Sequence, residues 1–310
     1  MKSLIKIGTR GSKLALCQTE LIASKLKVHF PFLQIELVKI HTKGDKVQHS
    51  NFEALGPGVF TREIENALLN GEVDLAVHSA KDLATELPEG LVLGAVSERE
   101  DSRDCLVTRE AKTLKTLPRG ARIGTSSLRR RAQLKKLRPD LEILDIRGNV
   151  DTRLKKINDG DYDGMVVAYA GLKRLGLSNV VTEVFDEENF LPQAGQGALA
   201  VQIRKGDRES QELVKPINHE TSYFRILAER SFLRRLQGGC QVPAGVTSKI
   251  EKEVIHLKAT IFSADGKHSV TDVGSDSISN LEKTGILLAE KLLRNGGEEI
   301  LKLVRDEQKN

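Results

Sequence analysis

The sequence predicts an α/β protein: two similar α/β domains facing a common cleft, followed by a small α+β third domain. Three observations lead there. Short apolar runs alternate with helical stretches from residue 4 to about residue 177. This alternation is the signature of a mostly parallel sheet. One design occurs twice, since Ile7-Gly8-Thr9-Arg10-Gly11-Ser12 and Ile123-Gly124-Thr125-Ser126-Ser127 each join a strand to a helix through Gly-Thr and a hydroxyl. From about residue 219 the pattern changes to a long helix and then antiparallel strands.

The elements follow in order. LIKIG (4–8) reads as a strand, Thr9–Ser12 as a polar turn, and Lys13 to about Lys27 as a helix. IELVKIHT (35–42) is a second strand, and the Gly-rich, polar piece from Lys43 to Val59 is a loop. FTREIENALLNGE (60–72) is helical with its stop at Gly71, and VDLAVHS (73–79) is an apolar strand. The pattern restarts with a strand at ARIG (121–124) and a helix at LRRRAQLKKL (128–137). A strand at LEILDI (141–146) and a helix at VDTRLKKI (150–157) come next. MVVAYA (165–170) is a strand, and GLKRLGL returns to helix. Residues 219–236 form a long amphipathic helix with Phe224, Leu227, Ser231 and Leu236 near one face. HLKATIFSADG and SVTDVGS are antiparallel strands turning at Ala264-Asp265-Gly266, and the last helix stops at Gly296-Gly297.

Composition narrows the function classes. The chain has 310 residues, 39% hydrophobic and 29% charged, enough for two or three cored domains. Aromatics are 4% and Trp is absent, which argues against a stacking platform for single-stranded nucleic acid. The net charge of +5 favours an anionic partner. No segment has the length of a membrane span, and MKSLIKIGTR lacks the apolar core of a signal peptide. Cys17, Cys105 and Cys240 are odd in number and far apart, so neither a disulfide framework nor a zinc site is expected. A reduced, cytoplasmic protein follows.

The candidate site is built on arginine. Arg10 follows a strand, Arg129, Arg130 and Arg131 open a helix, and Arg147 and Arg153 flank Gly148-Asn149-Val150. All fall at the carboxyl ends of predicted strands, where open α/β sheets bind ligands. Helix N-termini and hydroxyl caps there favour anions, and guanidinium groups grip carboxylates in a bidentate way. Arg131, Lys135 and Lys136 read as an ordinary solvated helix face. Lys81-Asp82 follows VDLAVHS, where a carboxylate can hold a developing positive charge or move a proton. His78 lies within the strand pattern and reads as structural.

Cys17 and Cys105 fit the pattern of inert core thiols. Cys240 differs, because Gly238-Gly239 stop the preceding helix and leave the sulfur on a loop. Arg234 and Arg235 nearby favour its thiolate, and the helix C-terminus opposes it. No Cys/His/Asn protease set surrounds it, so a covalent tether for an anionic ligand is the reading.

Eight segments together resemble the porphobilinogen deaminase (hydroxymethylbilane synthase) family along nearly the whole chain. They are IGTRGSKLAL (7–16), VDLAVHSAKDL (73–83), EREDSRD (98–104), IGTSSLRRRAQL (123–134), IRGNVDTRL (146–154), AGLKRLGL (170–177), LPQAGQGALA (191–200) and GGCQVPAG (238–245). The resemblance implies a transferase of tetrapyrrole (haem-type) biosynthesis. It would join four porphobilinogen molecules head to tail into hydroxymethylbilane, releasing ammonia each time. The primer is a dipyrromethane cofactor held by a thioether to Cys240. Asp82 matches the catalytic carboxylate. Arg10, Ser12, Lys81, Thr125, Ser126, Ser127, Arg129, Arg130, Arg147, Arg153, Arg174 and Gln196 match positions that hold cofactor and substrate, and no metal is implied. The fold implied is two domains similar to type II periplasmic binding proteins around a cleft, plus the small third domain. Domain 1 would span 1–98 and 198–216, domain 2 99–197, and domain 3 217–310 with the cysteine. The strand near 198–215 that rejoins domain 1 comes from the resemblance, not from periodicity. A cytoplasmic monomer with no nucleic-acid or membrane partner is expected.

The chain departs from the family at Leu55-Gly56-Pro57-Gly58-Val59-Phe60, where Pro57 replaces a usual loop lysine, and Glu53 stands where another basic residue is common. Ala84 replaces a frequent proline. Two other function classes compete. A non-catalytic two-domain clamp for an anionic small molecule would share the paired layout but carry no adduct. Nucleic-acid binding through Arg129-Arg130-Arg131 would show a steep salt dependence.

Overall fold

The structure is a computed structural model and describes residues 2–46, 58–237 and 242–309. By contact density the chain divides into two compact units, Met1–Glu100 with Gly197–Tyr223, and Asp101–Gln196 with Phe224–Asn310.

The first unit opens with β1 (Leu4–Thr9), α1 (Lys13–His29), β2 (Gln34–Lys39), the short α2 (Lys43–Lys46) and α3 (Arg62–Leu69). β3 (Leu75–Ser79) and β4 (Leu91–Val96) follow. After the chain returns, β10 (Leu199–Arg204) and α7 (Arg208–Val214) complete the unit. The sheet order is β2-β1-β3-β10-β4. β10 runs antiparallel to both neighbours and supplies the expected returning strand. Alternation along the strands sorts the two faces, as a period of two requires. Leu75 and Val77 join Ile7, Ile22, Leu26 and Val201 on one side. Ala76 joins Ile64 and Leu68 of α3 on the other.

The second unit repeats the plan with β5 (Asp104–Thr108), β6 (Arg122–Gly124), α4 (Leu128–Leu137), β7 (Glu142–Leu144), α5 (Val150–Asn158), β8 (Gly164–Ala168), α6 (Tyr169–Arg174) and β9 (Glu183–Val184). Its order is β7-β6-β8-β5-β9, with β5 antiparallel to β8 and β9. Leu106, Ile123, Leu134 and Val166 pack with the Phe185–Phe190 ring pair (centroids 4.5 Å apart) on one face. Cys105, Ile146, Met165, Val167 and Leu172 fill the other.

The same unit holds α8 (Glu220–Arg235) from Phe224 onward and an antiparallel sheet of β11 (Ala244–Glu251), β12 (Val254–Phe262) and β13 (Ser269–Ser277). α9 (Leu281–Leu292) and α10 (Glu298–Lys309) follow, and Phe232, Val246, Leu257, Ile261, Leu288 and Leu301 form this part's core. The architecture is therefore mixed α/β with a small α+β sheet domain.

Several expectations need correction. β8 ends at Ala168, so Tyr169 and Ala170 belong to helix. α8 buries Ile226, Ala228, Phe232 and Leu233, whereas Leu227 is only half-buried. Packing on more than one side widens its apolar stripe. β11 was not foreseen. Gly296 (φ +104°) breaks the last helix as expected, yet α10 restarts directly after it. Gly296 bends the chain there rather than ending it, since only a residue without Cβ enters that backbone region readily. The substitutions at Glu53 and Pro57 lie outside the described residues.

Candidate active site

In the first unit, β1 and β3 are parallel neighbours, so their following loops share one sheet edge. The loop after β1 carries Arg10 and Ser12, and a single 3₁₀ turn after β3, Ala80–Asp82, carries Lys81 and Asp82. Ser12 caps α1, its Oγ accepting from Ala15 N at 3.3 Å. Gln18 ties α1 to the end of β3, its Nε2 donating to Ser79 Oγ at 3.0 Å. The Arg10 guanidinium sits 4.3 Å from the Phe60 ring centroid, a cation–π contact. Lys81, Asp82, Arg10 and Ser12 are all half-buried. His78 is buried within β3, and burial, opposed by the nearby Gln202 amide and aided by the Arg10 charge, pulls its pKa down to about 4. It is neutral at pH 7, as a structural histidine should be.

In the second unit the loop after β6 holds Thr125, Ser126 and Ser127. Thr125 is buried and its Oγ1 accepts from Ser127 N at 3.3 Å. Ser126 Oγ donates to Ile146 O at 3.0 Å, and Ser127 caps α4 by accepting from Arg130 N at 3.5 Å. The three hydroxyls thus shape the loop in addition to any ligand role.

The centre of this half is Asp104, which sequence reasoning did not single out. Its side chain is wholly removed from water, and both oxygens are hydrogen-bonded. Oδ2 accepts from Arg129 Nη1 at 2.7 Å; Oδ1 accepts from Arg130 Nε at 3.0 Å, Arg130 Nη2 at 2.7 Å and Gln196 Nε2 at 2.9 Å. Burial alone would raise the carboxyl pKa, but Arg129 and then Arg130 outweigh it and hold Asp104 well below the usual range. Gln196 is anchored by Ser102 O at 2.7 Å. The structure thus brings Arg129, Arg130 and Gln196 together on one anion, which neutralises one of the two cations and leaves the other in excess.

Arg153 lies in the first turns of α5 rather than in a loop, and its Nε donates to Gly148 O at 2.8 Å. Burial, and secondarily the Arg130 charge, draws its pKa down to about 10, so an anion beside it is favoured. Asn149 caps α5 by accepting from Thr152 N at 2.9 Å. Arg147 and Arg174 are half-buried, the first beyond β7 and the second ending α6.

Cys240 lies outside the described residues. Arg234 and Arg235, thought to favour its thiolate, are engaged by Glu282 at 2.7 Å and Glu290 at 3.1 Å. Cys105 is fully buried, and burial together with Asp104 pushes its thiol up to about 12, so it is inert. Cys17 is half-buried rather than a core residue. Arg131 pairs with Asp145 on the surface, as a solvated face predicts.

The residues fit an anionic cofactor near β11. Arg129 Nε and Nη2 are buried and have no hydrogen-bond partner among the described residues. The same side chain lines a pocket with Ser127, Gln193, Val242, Ala244 and Val246. Two free donors in a dry wall suit a carboxylate, since leaving them unpaired is costly. No group of acids, histidines or cysteines that could hold a metal occurs among the described residues. No helix among them is long and apolar enough to cross a membrane.

Each of the two α/β sheets carries cationic side chains in the loops after its strands, and the second unit holds two guanidinium groups on one carboxylate. The family is more specific. The family model described as "Porphobilinogen deaminase, dipyromethane cofactor binding domain" matches residues 5–212, and "Porphobilinogen deaminase, C-terminal domain" matches 223–294. The porphobilinogen deaminase of Chlorobium luteolum is 46% identical over 310 residues, covering 98% of this chain and 99% of its own. That of Pelotomaculum thermopropionicum is also 46% identical, covering 100% and 99%. This chain belongs to the porphobilinogen deaminase family. Among solved structures, the methionine binding protein MetQ covers 71% of this chain and 92% of its own at TM-score 0.45 and 15% identity, too remote to add to the fold argument.

Proposed function

We propose that this chain is the transferase that condenses four porphobilinogen molecules head to tail into hydroxymethylbilane, releasing ammonia at each step, for tetrapyrrole synthesis. A dipyrromethane cofactor, bound by a thioether to Cys240, supplies the pyrrole carbon to which the first substrate is joined. The observation that carries the reading is the buried edge of Arg129, two donors without a hydrogen-bond partner among the described residues, on a side chain that lines a pocket with Val242 and Ala244 of the segment following Cys240.

The chain's own residues then divide the work. Arg129, Arg130 and Gln196, fixed by Asp104, hold acetate and propionate groups by charge-assisted hydrogen bonds. Arg147, Arg153 and Arg174, with Ser126 and Ser127, take further carboxylates as the chain grows. In the first unit, Arg10, Ser12 and Lys81 bind carboxylates of cofactor or substrate as well. Asp82 faces the positive charge that develops as ammonia leaves the substrate, and stabilises it. We read residues 1–98 with 198–216, 99–197 and 217–310 as three domains. We read the protein as a cytoplasmic monomer acting on a free small molecule, with no nucleic-acid partner.

Purified protein given porphobilinogen should consume it with matching ammonia release and yield a linear tetrapyrrole. Asp82→Asn should abolish that turnover while leaving the fold intact. Binding of porphobilinogen with no ammonia released would instead identify a non-catalytic clamp.

A further inference from the structure

Gln133 is the one strongly polar side chain on the buried face of α4 beyond the two arginines, at 1% exposure. Its amide reads both backbone groups of a single residue. Leu191 N donates to Gln133 Oε1 at 2.7 Å, and Gln133 Nε2 donates to Leu191 O at 3.1 Å. Leu191 lies in the irregular segment between β9 and β10, so its buried N–H and C=O have no ladder to join. Gln133 supplies what a strand neighbour would.

That same carbonyl accepts from Arg129 Nη1 at 2.5 Å. Arg129 precedes Gln133 by four residues, so both project from one face of α4. On the opposite side, Gly245 of β11 abuts Leu191: a Cβ added there would lie 2.5 Å from Leu191 Cβ and 3.0 Å from its oxygen. Val246 N donates to Pro192 O at 2.9 Å. Leu191 is therefore a junction of α4, which bears Arg129, the segment leading to Gln196, and the start of β11. Arg129 Nη1 is pinned there between Asp104 and Leu191, and this decides which way its free edge faces.

We infer that Gln133 is a positioning residue: by clamping Leu191 it fixes the direction of the Arg129 donors and the register of β11 against them, for the anionic group carried on Cys240. This rests on the proposed function above. Gln133 touches no ligand itself; it acts through Leu191 and Arg129.

The test is Gln133→Met, which keeps the volume and removes both hydrogen bonds, purified beside wild type and Gln133→Glu, which keeps only the acceptor. Intact mass of denatured chains reads the fraction loaded with cofactor, and circular dichroism reads folding. At equal folded content, and after the same brief exposure of bare chains to porphobilinogen, the ratio of loaded to unloaded chains in Gln133→Met should fall about tenfold, the slower attachment expected of misdirected donors, with a smaller fall in Gln133→Glu. A merely structural role would lower the unfolding midpoint and leave that ratio unchanged in the folded protein. Full loading of folded Gln133→Met overturns the inference. If Gln133→Met does not fold, full loading of Gln133→Glu with unchanged KM for porphobilinogen overturns it instead. Wild type without any adduct would sink the functional reading, and is distinguishable because the variants would then match it.

Discussion

Asp104 and Arg129 meet at 2.7 Å with both side chains buried. A charge pair so placed is weak evidence for stability but strong evidence for dependence, because removing one partner strands the other. Asp104→Asn should therefore cost about 3–5 kcal/mol of stability. Denaturant unfolding monitored at pH 7 measures it. A loss below about 1 kcal/mol would mean the guanidinium groups find other anions.

The acid limb of the stability curve should show two separate contributions. His78 has a folded pKa near 4, below its ordinary value, so the fold favours the neutral ring. Its contribution is present above about pH 6.5 and fades as pH falls toward 4, worth about 3 kcal/mol in all. Asp104 is also depressed, but from a carboxylate's starting point, so its contribution fades only below about pH 4. In His78→Gln the decline between pH 6.5 and 4 should flatten while the decline below pH 4 remains. Unfolding midpoints measured at stepped pH check this.

Asp82→Asn should leave the unfolding midpoint near wild type, since the half-buried side chain ends a single turn at the sheet edge. Turnover should fall about a hundredfold or more, the scale of a lost charge-stabilising or proton-moving group. Steady-state kinetics with porphobilinogen reads it. Unchanged kcat would remove Asp82 from the chemistry.

Gly285→Ala probes the third sheet's packing alone. A Cβ there would press on Ser231 Oγ and the Ala228 carbonyl, where α9 crosses α8. The change should cost about 2–3 kcal/mol through overpacking. Activity per folded molecule should stay at the wild-type level, because neither contact belongs to the Arg129 network.

Much of this molecule was legible before any coordinates. The strand–hydroxyl–helix loops at Thr9–Ser12 and Thr125–Ser127 were visible because a parallel sheet needs short turns there, and their serines became N-caps. β10 was not legible from pattern, because a strand buried on both faces carries no alternation and its partners lie far away in sequence. Asp104 was missed for a related reason. A lone carboxylate opening a strand looks like any surface charge until tertiary packing turns Arg129, Arg130 and Gln196 onto it. Arg129 and Arg130 were expected simply as ligand donors; the structure shows that part of their hydrogen-bonding capacity is spent on Asp104 and backbone carbonyls. Gln133 escaped notice because its partner is backbone, which leaves no trace in side-chain spacing.

The most direct measurement is the mass of the denatured, freshly purified chain, with peptide mapping across residue 240. Active wild type should carry a two-pyrrole adduct on Cys240, and Cys240→Ser should carry none and turn over no porphobilinogen. Fully active protein whose mass is that of the bare chain would contradict the tether, and the reading of the guanidinium groups as its cradle would fall with it.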